Sequence, residues 1–319
     1  MRVSRERVAA VARAPARAVG PAAQAPRKSR AAALSIVSNT LLIGLKIAAG
    51  VITGSIAILT EAAHSAIDLV ASLVAFFSVR KADEPADESH PYGHEKVENM
   101  AAAIEGMLIL VGAGIIVYES VRRLAQGAEL DTLGVGIAVV GFSAVANLAV
   151  SGYLYRQARA TDSPALEGDA AHLRTDAMTS LGVLLGLVTV ELTGVEAFDP
   201  ATALLVAVAI VVAGVRILTR TSRVLVDEAL PDDELEAIRT AIEEHGAAEL
   251  VGFHKLRARR AGSRRYVDLH VQFRDGTSLG RAHEIAHELQ SAIRTRLRGA
   301  DVLIHLEPEE AADPRPRGD

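Results

Sequence analysis

Residues 61–80 read EAAHSAIDLVASLVAFFSVR, and residues 164–185 read PALEGDAAHLRTDAMTSLGVLL. Each stretch sets a histidine four residues before an aspartate, His64 with Asp68 and His172 with Asp176, among mostly apolar neighbours. On a helix, positions i and i+4 share one face, one turn apart. Two such helices packed face to face offer two imidazole nitrogens and two carboxylate oxygens to a single point. That four-ligand set suits tetrahedral Zn²⁺ and needs no sulfur. An ionisable side chain at the centre of a membrane helix costs about 2.5–3.5 kcal/mol and marks an ion or proton path. A single pair reads equally well as a hydrogen bond within its helix. The same spacing in two separate stretches favours a metal site. Glu61, Glu105 and Asn147 are weaker signals, and Glu105 and Asn147 read first as polar groups holding helices together.

These two stretches belong to a set of six apolar segments, at about 32–53, 56–79, 97–121, 133–155, 167–192 and 200–219. Each is long enough to cross about 30 Å of hydrocarbon as a helix. Small residues recur in them, as in Ala48-Ala49-Gly50, Gly112-x-Gly114, Gly134-x-Gly136, Gly182 and Gly186. In lipid such residues let helix backbones approach closely. Lys and Arg in the short connections set orientation. Arg80, Lys81, Lys96, Arg156, Arg159, Arg216, Arg220 and Arg223 fall on the side of the basic N-terminus, and only Arg122 and Arg123 on the other. The expected layout is therefore six spans with both termini cytoplasmic, multi-pass in a membrane that is most simply a bacterial plasma membrane.

The chain has 319 residues, of which 50% are hydrophobic, 3% aromatic and 23% charged, with no Cys and a formal net charge of −5. Without Cys there is no disulfide framework, zinc ribbon, iron–sulfur cluster or thiolate nucleophile, and every metal site must use His and carboxylate. The net charge gives no reason to expect a nucleic-acid partner. Residues 1–30 are basic, with Arg2, Arg5, Arg7, Arg13, Arg17, Arg27, Lys28 and Arg30 against Glu6, and lack the apolar core of a signal peptide. They read as a disordered tail, and residues 31–226 as the six-span domain.

Past residue 227 the pattern turns soluble. Residues 232–245 form an amphipathic helix behind Pro231, residues 249–259 and 264–274 are strands, 279–297 a helix and 301–307 a strand. Val267, Leu269, Val271 and Phe273 alternate with Asp268, His270 and Gln272, the period of a half-buried strand. The order α-β-β-α-β predicts a small α+β domain over 227–309. A disordered tail over 310–319 follows.

In order and spacing, Gly54-Ser55-x-Ala57, Ala63-His64-Ser65-x-x-Asp68, Pro85-Ala86-Asp87-x-x-His90-Pro91-Tyr92-Gly93-His94-x-Lys96-x-Glu98, His172-x-x-x-Asp176 and Ala229-Leu230-Pro231 resemble the cation diffusion facilitator family. The resemblance runs from about Ser35 to Glu307. It implies a homodimeric carrier in the lipid bilayer that exports divalent metal ions, here most simply Zn²⁺, from the cytoplasm against protons. It implies a six-helix transmembrane bundle followed by a cytoplasmic domain of metallochaperone-like fold that binds metal and dimerises. It assigns His64, Asp68, His172 and Asp176 to the transport site. It assigns Asp87, His90 and His94 to a loop site. His254, His270, His283, His305 and Glu307 fall to a cytoplasmic regulatory site, with Glu307 standing where the familiar pattern has Asp. Lys96 and Asp227 resemble a charge interlock between subunits. His245 and His287 match no ligand position and read as solvated helix surface.

Other readings are weaker. The same carrier could take Fe²⁺, Mn²⁺, Co²⁺ or Cd²⁺ as its main substrate, and a membrane-anchored metal sensor would bind metal without moving it. His283-Glu284-Ile285-Ala286-His287 has the bare H-E-x-x-H pattern of metalloproteases. It lies in the soluble part and lacks a third ligand at the usual downstream spacing, so a transporter, not an enzyme, is expected.

Overall fold

A computed structural model describes residues 21–53, 56–126, 134–195, 197–245 and 247–309. Gly54, Ser55, Glu196 and the two end segments 1–20 and 310–319 lie outside the described residues, as do the side chains of Glu61 and His64. Six long helices come first: α1 (Pro21–Thr53), α2 (Ile56–Ala82), α3 (Lys96–Gln126), α4 (Gly134–Thr161), α5 (Pro164–Thr193) and α6 (Phe198–Leu225). Then follow α7 (Asp232–Glu244), β1 (Leu250–Ala261), β2 (Arg264–Phe273), α8 (Leu279–Arg296) and β3 (Ala300–Pro308).

The long helices pack as a bundle in which α3 lies along α6, α4 along α5, and α1 along α2. Small residues set how close they come. At Gly214 on α6 an added Cβ would stand 2.9 Å from Leu110 of α3, and at Gly106 on α3 it would stand 3.3 Å from the backbone of Leu218. Among the described residues, α1, α3, α5 and α6 are long and apolar enough to cross a membrane. Large apolar side chains such as Leu41, Val51, Ile52, Val111 and Leu205 point away from the bundle. Hydrocarbon tolerates such a surface, and water does not.

One expectation is corrected at the N-terminus. Residues 21–30, expected as part of a disordered tail, form the start of α1. The reason is Lys28, which is buried and ion-paired to Glu98 of α3 at 2.7 Å, with Asp83 at 3.6 Å. Ala31 and Ala32 are fully buried in the next turn. A lysine so placed anchors the basic segment to the bundle, and Pro21 suits a first helical position.

The C-terminal part is a three-stranded sheet in the order β1-β2-β3, with β1 antiparallel and β3 parallel to β2. Val267, Leu269, Val271 and Phe273 of β2 are buried against Ile238 and Ile242 of α7 and Ile285, Leu289 and Ile293 of α8. Both helices therefore cover one face, and His270 lies on the other. The β1–β2 turn presses against the segment that leads into α3. Gly262 there has φ +53, its N–H donates to Asn99 Oδ1 at 2.8 Å, and an added Cβ would meet the Glu95 carbonyl oxygen at 2.7 Å. Arg265 ties three elements together: its guanidinium bonds both oxygens of Glu234 at 2.9 Å and reaches Asp162, in the α4–α5 turn, at 3.0 Å. Tyr266 donates its hydroxyl to the Tyr92 carbonyl at 2.6 Å.

Candidate metal centres

Asp68 on α2 meets His172 and Asp176 on α5 inside the bundle, and one ligand atom from each lies within 4.8 Å of the others. His172 Nε2 stands 3.2 Å from Asp68 Oδ1 and 3.9 Å from Asp176 Oδ2. Asp68 and His172 are buried, and Asp176 is nearly so. His64 sits one turn before Asp68 on the same helix, with its side chain outside the described residues. On the ring's other side, Nδ1 of His172 is 3.8 Å from Oε2 of Glu105 on α3. A cavity of about 220 Å³ opens onto these groups, lined also by Lys46, Ser65 and Asn147. Along α5 it extends from His172 to Ser180, and along α3 from Leu108 to Ile116.

Toward the opposite end of the bundle lie two layers of polar side chains joined by hydrogen bonds. Asp169, one turn before His172, accepts from Ser35 at 3.2 Å and Ser72 at 3.1 Å, and Asn39 donates to Ser72 at 2.9 Å. Farther along, Ser163 donates to Glu98 and accepts from the Leu166 N–H as the N-cap of α5, while Glu98 also holds Lys28. The cavity and these two polar layers lie on opposite sides of the three converging ligands.

The loop between α2 and α3 folds back on itself. Asp87, His90 and His94 bring one ligand atom each within 4.8 Å. Gly93, at φ +91, makes the turn that allows this, in a backbone conformation that a residue with a Cβ adopts only under strain. Asp87 accepts the His90 backbone N–H at 2.7 Å, and that bond above all holds its carboxyl below the usual carboxylate range. His94 is buried with Nε2 3.2 Å from Asp87, but neither ring nitrogen is aligned for a hydrogen bond. In the neutral ring, one of these nitrogens keeps its lone pair for another partner.

A third cluster lies on the open face of the sheet. Cross-strand pairing aligns His254 with His270 and His270 with His305 in one row. Glu307 spans the first two: its Oε2 is 2.6 Å from His254 Nε2 and its Oε1 2.5 Å from His270 Nδ1. Against the desolvation around it, these two hydrogen bonds hold the Glu307 carboxyl below its ordinary value. His305 Nε2 is 3.8 Å from Glu307. Two nitrogens and a carboxylate make a donor set that fits Zn²⁺.

Within one chain, two expected arrangements take the following form. His283 stays out of this cluster, because α8 covers the face of the sheet opposite the histidine row. It faces His287 instead, Nε2 to Nε2 at 3.2 Å. The i, i+4 spacing carries that pairing, and both rings are exposed on the helix surface, as expected of His287. Lys96 and Asp227, expected to link subunits, meet inside a single chain at 2.8 Å, where Arg259 joins them at 3.0 Å. Asp227 adopts φ +61 just past α6, which turns its carboxylate back toward the start of α3.

Known proteins are similar to this chain in sequence over most of its length. Residues 32–226 match the family description "Cation efflux transmembrane domain", and residues 230–309 match "Cation efflux protein, cytoplasmic domain". An uncharacterized transporter of Synechocystis sp. is 36% identical over 287 residues, 89% of this chain and 91% of that protein. The cation-efflux pump FieF of Serratia proteamaculans is 34% identical over 281 residues, 88% of this chain and 92% of the pump. A solved structure of CzrB in its Zn form is 34% identical over 27% of this chain and 98% of its own, at a TM-score of 0.26.

Proposed function

The chain belongs to the cation diffusion facilitator family of cation-efflux transporters, and from that premise we propose that it exports Zn²⁺ from the cytoplasm in exchange for protons. One observation supports this reading above the others: Asp68, His172 and Asp176 converge from two helices at one buried point beside a cavity. Tetrahedral Zn²⁺ with bonds of about 2.0–2.1 Å needs ligand atoms about 3.3 Å apart. The separations of 3.2 and 3.9 Å around His172 Nε2 bracket that value. His64, on the face of α2 that carries Asp68, is the fourth ligand. Two carboxylates offset the charge of the dication in a medium of low dielectric.

Metal needs the histidines neutral and the aspartates ionised, so binding releases protons and protonation expels metal. One site visited alternately by metal and protons couples the two fluxes. The polar layers around Asp169 and Glu98 close the cytoplasmic end, and the cavity leads outward. α2 and α4 complete six spans with α1, α3, α5 and α6. The excess of Lys and Arg at one end of the bundle supports a layout with both termini in the cytoplasm, in a bacterial plasma membrane. Residues 31–226 are the transport domain. Residues 227–309 form the cytoplasmic domain, which joins two chains as a homodimer and binds regulatory metal at His254, His270, His305 and Glu307. Asp87, His90 and His94 form an accessory cytoplasmic site.

The test is metal flux into proteoliposomes with an imposed pH gradient. Zn²⁺ uptake is expected to follow the gradient, to outpace Fe²⁺, Mn²⁺, Co²⁺ and Cd²⁺, and to vanish in Asp68→Ala. Wild-type flux in that variant would overturn the site. Flux indifferent to the gradient would overturn antiport, and metal binding without flux would leave a sensor.

A further inference from the structure

Among the described residues of α3, Glu105 stands out. It is fully buried, and neither of its carboxylate oxygens has a hydrogen-bond partner. Burying a carboxylate in that condition is costly, yet the fold makes room for it. Gly168 of α5 lies against it, and an added Cβ there would stand 3.1 Å from both Cβ and Cγ of Glu105. A side chain at 168 would push α3 and α5 apart at the level of His172. The Glu105 carboxylate faces His172 Nδ1 at 3.8 Å, and that nitrogen also lacks a hydrogen bond. The ring's other nitrogen, Nε2, faces Asp68 and Asp176.

We propose that Glu105 is a positioning residue for the transport site: it accepts the Nδ1–H of His172 and so keeps the Nε2 lone pair aimed at the cargo ion. The proposal rests on the reading of Asp68, His172 and Asp176 as that site. A neutral imidazole carries one ring proton. When Nε2 binds a cation, the proton is on Nδ1 and requires an acceptor. A ligating histidine usually gives this N–H to a carboxylate or carbonyl, which fixes the tautomer and ring angle and makes the ligating nitrogen more basic. Among the described residues of α3, Glu105 is the one placed to do so for His172. The side chain thus does more than hold helices together.

The experiment measures Zn²⁺ transport by the full chain in proteoliposomes, with thermal unfolding of each variant. Glu105→Ala is expected to raise KM for Zn²⁺ about 10–100-fold with kcat changed by no more than about twofold, and Glu105→Gln, which keeps an acceptor oxygen at the same reach, to recover most of the loss. Unchanged KM in both variants would overturn the proposal. So would a fall in kcat and melting temperature with KM unmoved, the result of a purely structural role. Should Glu105→Ala fail to fold, Glu105→Gln and Glu105→Asp decide: a raised KM in the shorter Asp variant beside a near-normal one in Gln supports positioning, and equal KM values overturn it. Asp68→Ala in the same assay separates the two readings. Wild-type flux there removes the transport site itself. Lost flux there, with normal KM in Glu105→Ala, removes only the role of Glu105.

Discussion

Gly262 shows how closely the cytoplasmic domain is fitted to the bundle. Its backbone sits at φ +53, and a methyl group would meet the Glu95 carbonyl at 2.7 Å. Gly262→Ala is expected to destabilise the protein by about 1–3 kcal/mol, read as a lower melting temperature, because strain and clash act together. Some single residues are legible in the chain itself. The four-residue spacing of His172 and Asp176 is a local property of a helix, and the fold puts both beside Asp68. Lys28 is not legible in this way. Its partner Glu98 is 70 positions away, and nothing in a basic, Ala-rich segment announces a buried ion pair. The place of His283 is not legible for a related reason. Its spacing to His287 is local, but which face of the sheet α8 covers depends on the packing of distant residues.

At the scale of elements, β2 is the most legible, because its alternation is dictated by one buried face. Its neighbour β1 is less so. Lys255 adopts φ +51 within an irregularity of β1 between His254 and Arg257, and no period in the sequence marks it. The junction between α6 and the soluble domain carries a testable charge arrangement. The Lys96 hydrogen bond first, and then the charge of Arg259, holds the Asp227 carboxyl below its ordinary value. A depressed carboxylate contributes stability that is complete above its unfolded value of about 3.9 and is lost as pH falls through the folded value. Melting temperature is therefore expected to be insensitive to this group at neutral pH and to drop faster below about pH 4 in the wild type than in Asp227→Asn. Parallel curves for the two proteins would show that the junction does not depend on this carboxylate.

For the whole molecule, Ser163 matters beyond its own turn. One hydroxyl caps α5 and ties it to Glu98, which holds α1 through Lys28. On the proposed function, an ion enters from the cytoplasm past this layer, and parting these helices loosens the first turn of the helix that carries His172 and Asp176. Loss of an N-cap costs about 1 kcal/mol, and Ser163→Ala removes that stabilisation from the closed form before the cycle begins. The temperature dependence of flux is the readout: the variant is expected to show a shallower Arrhenius slope than the wild type, with an unchanged KM for Zn²⁺. An identical slope would mean that α5 stays wound throughout. If the slope falls, the slow event in transport is the fraying of a helix end, and the speed of this carrier is set by a folding reaction one turn long.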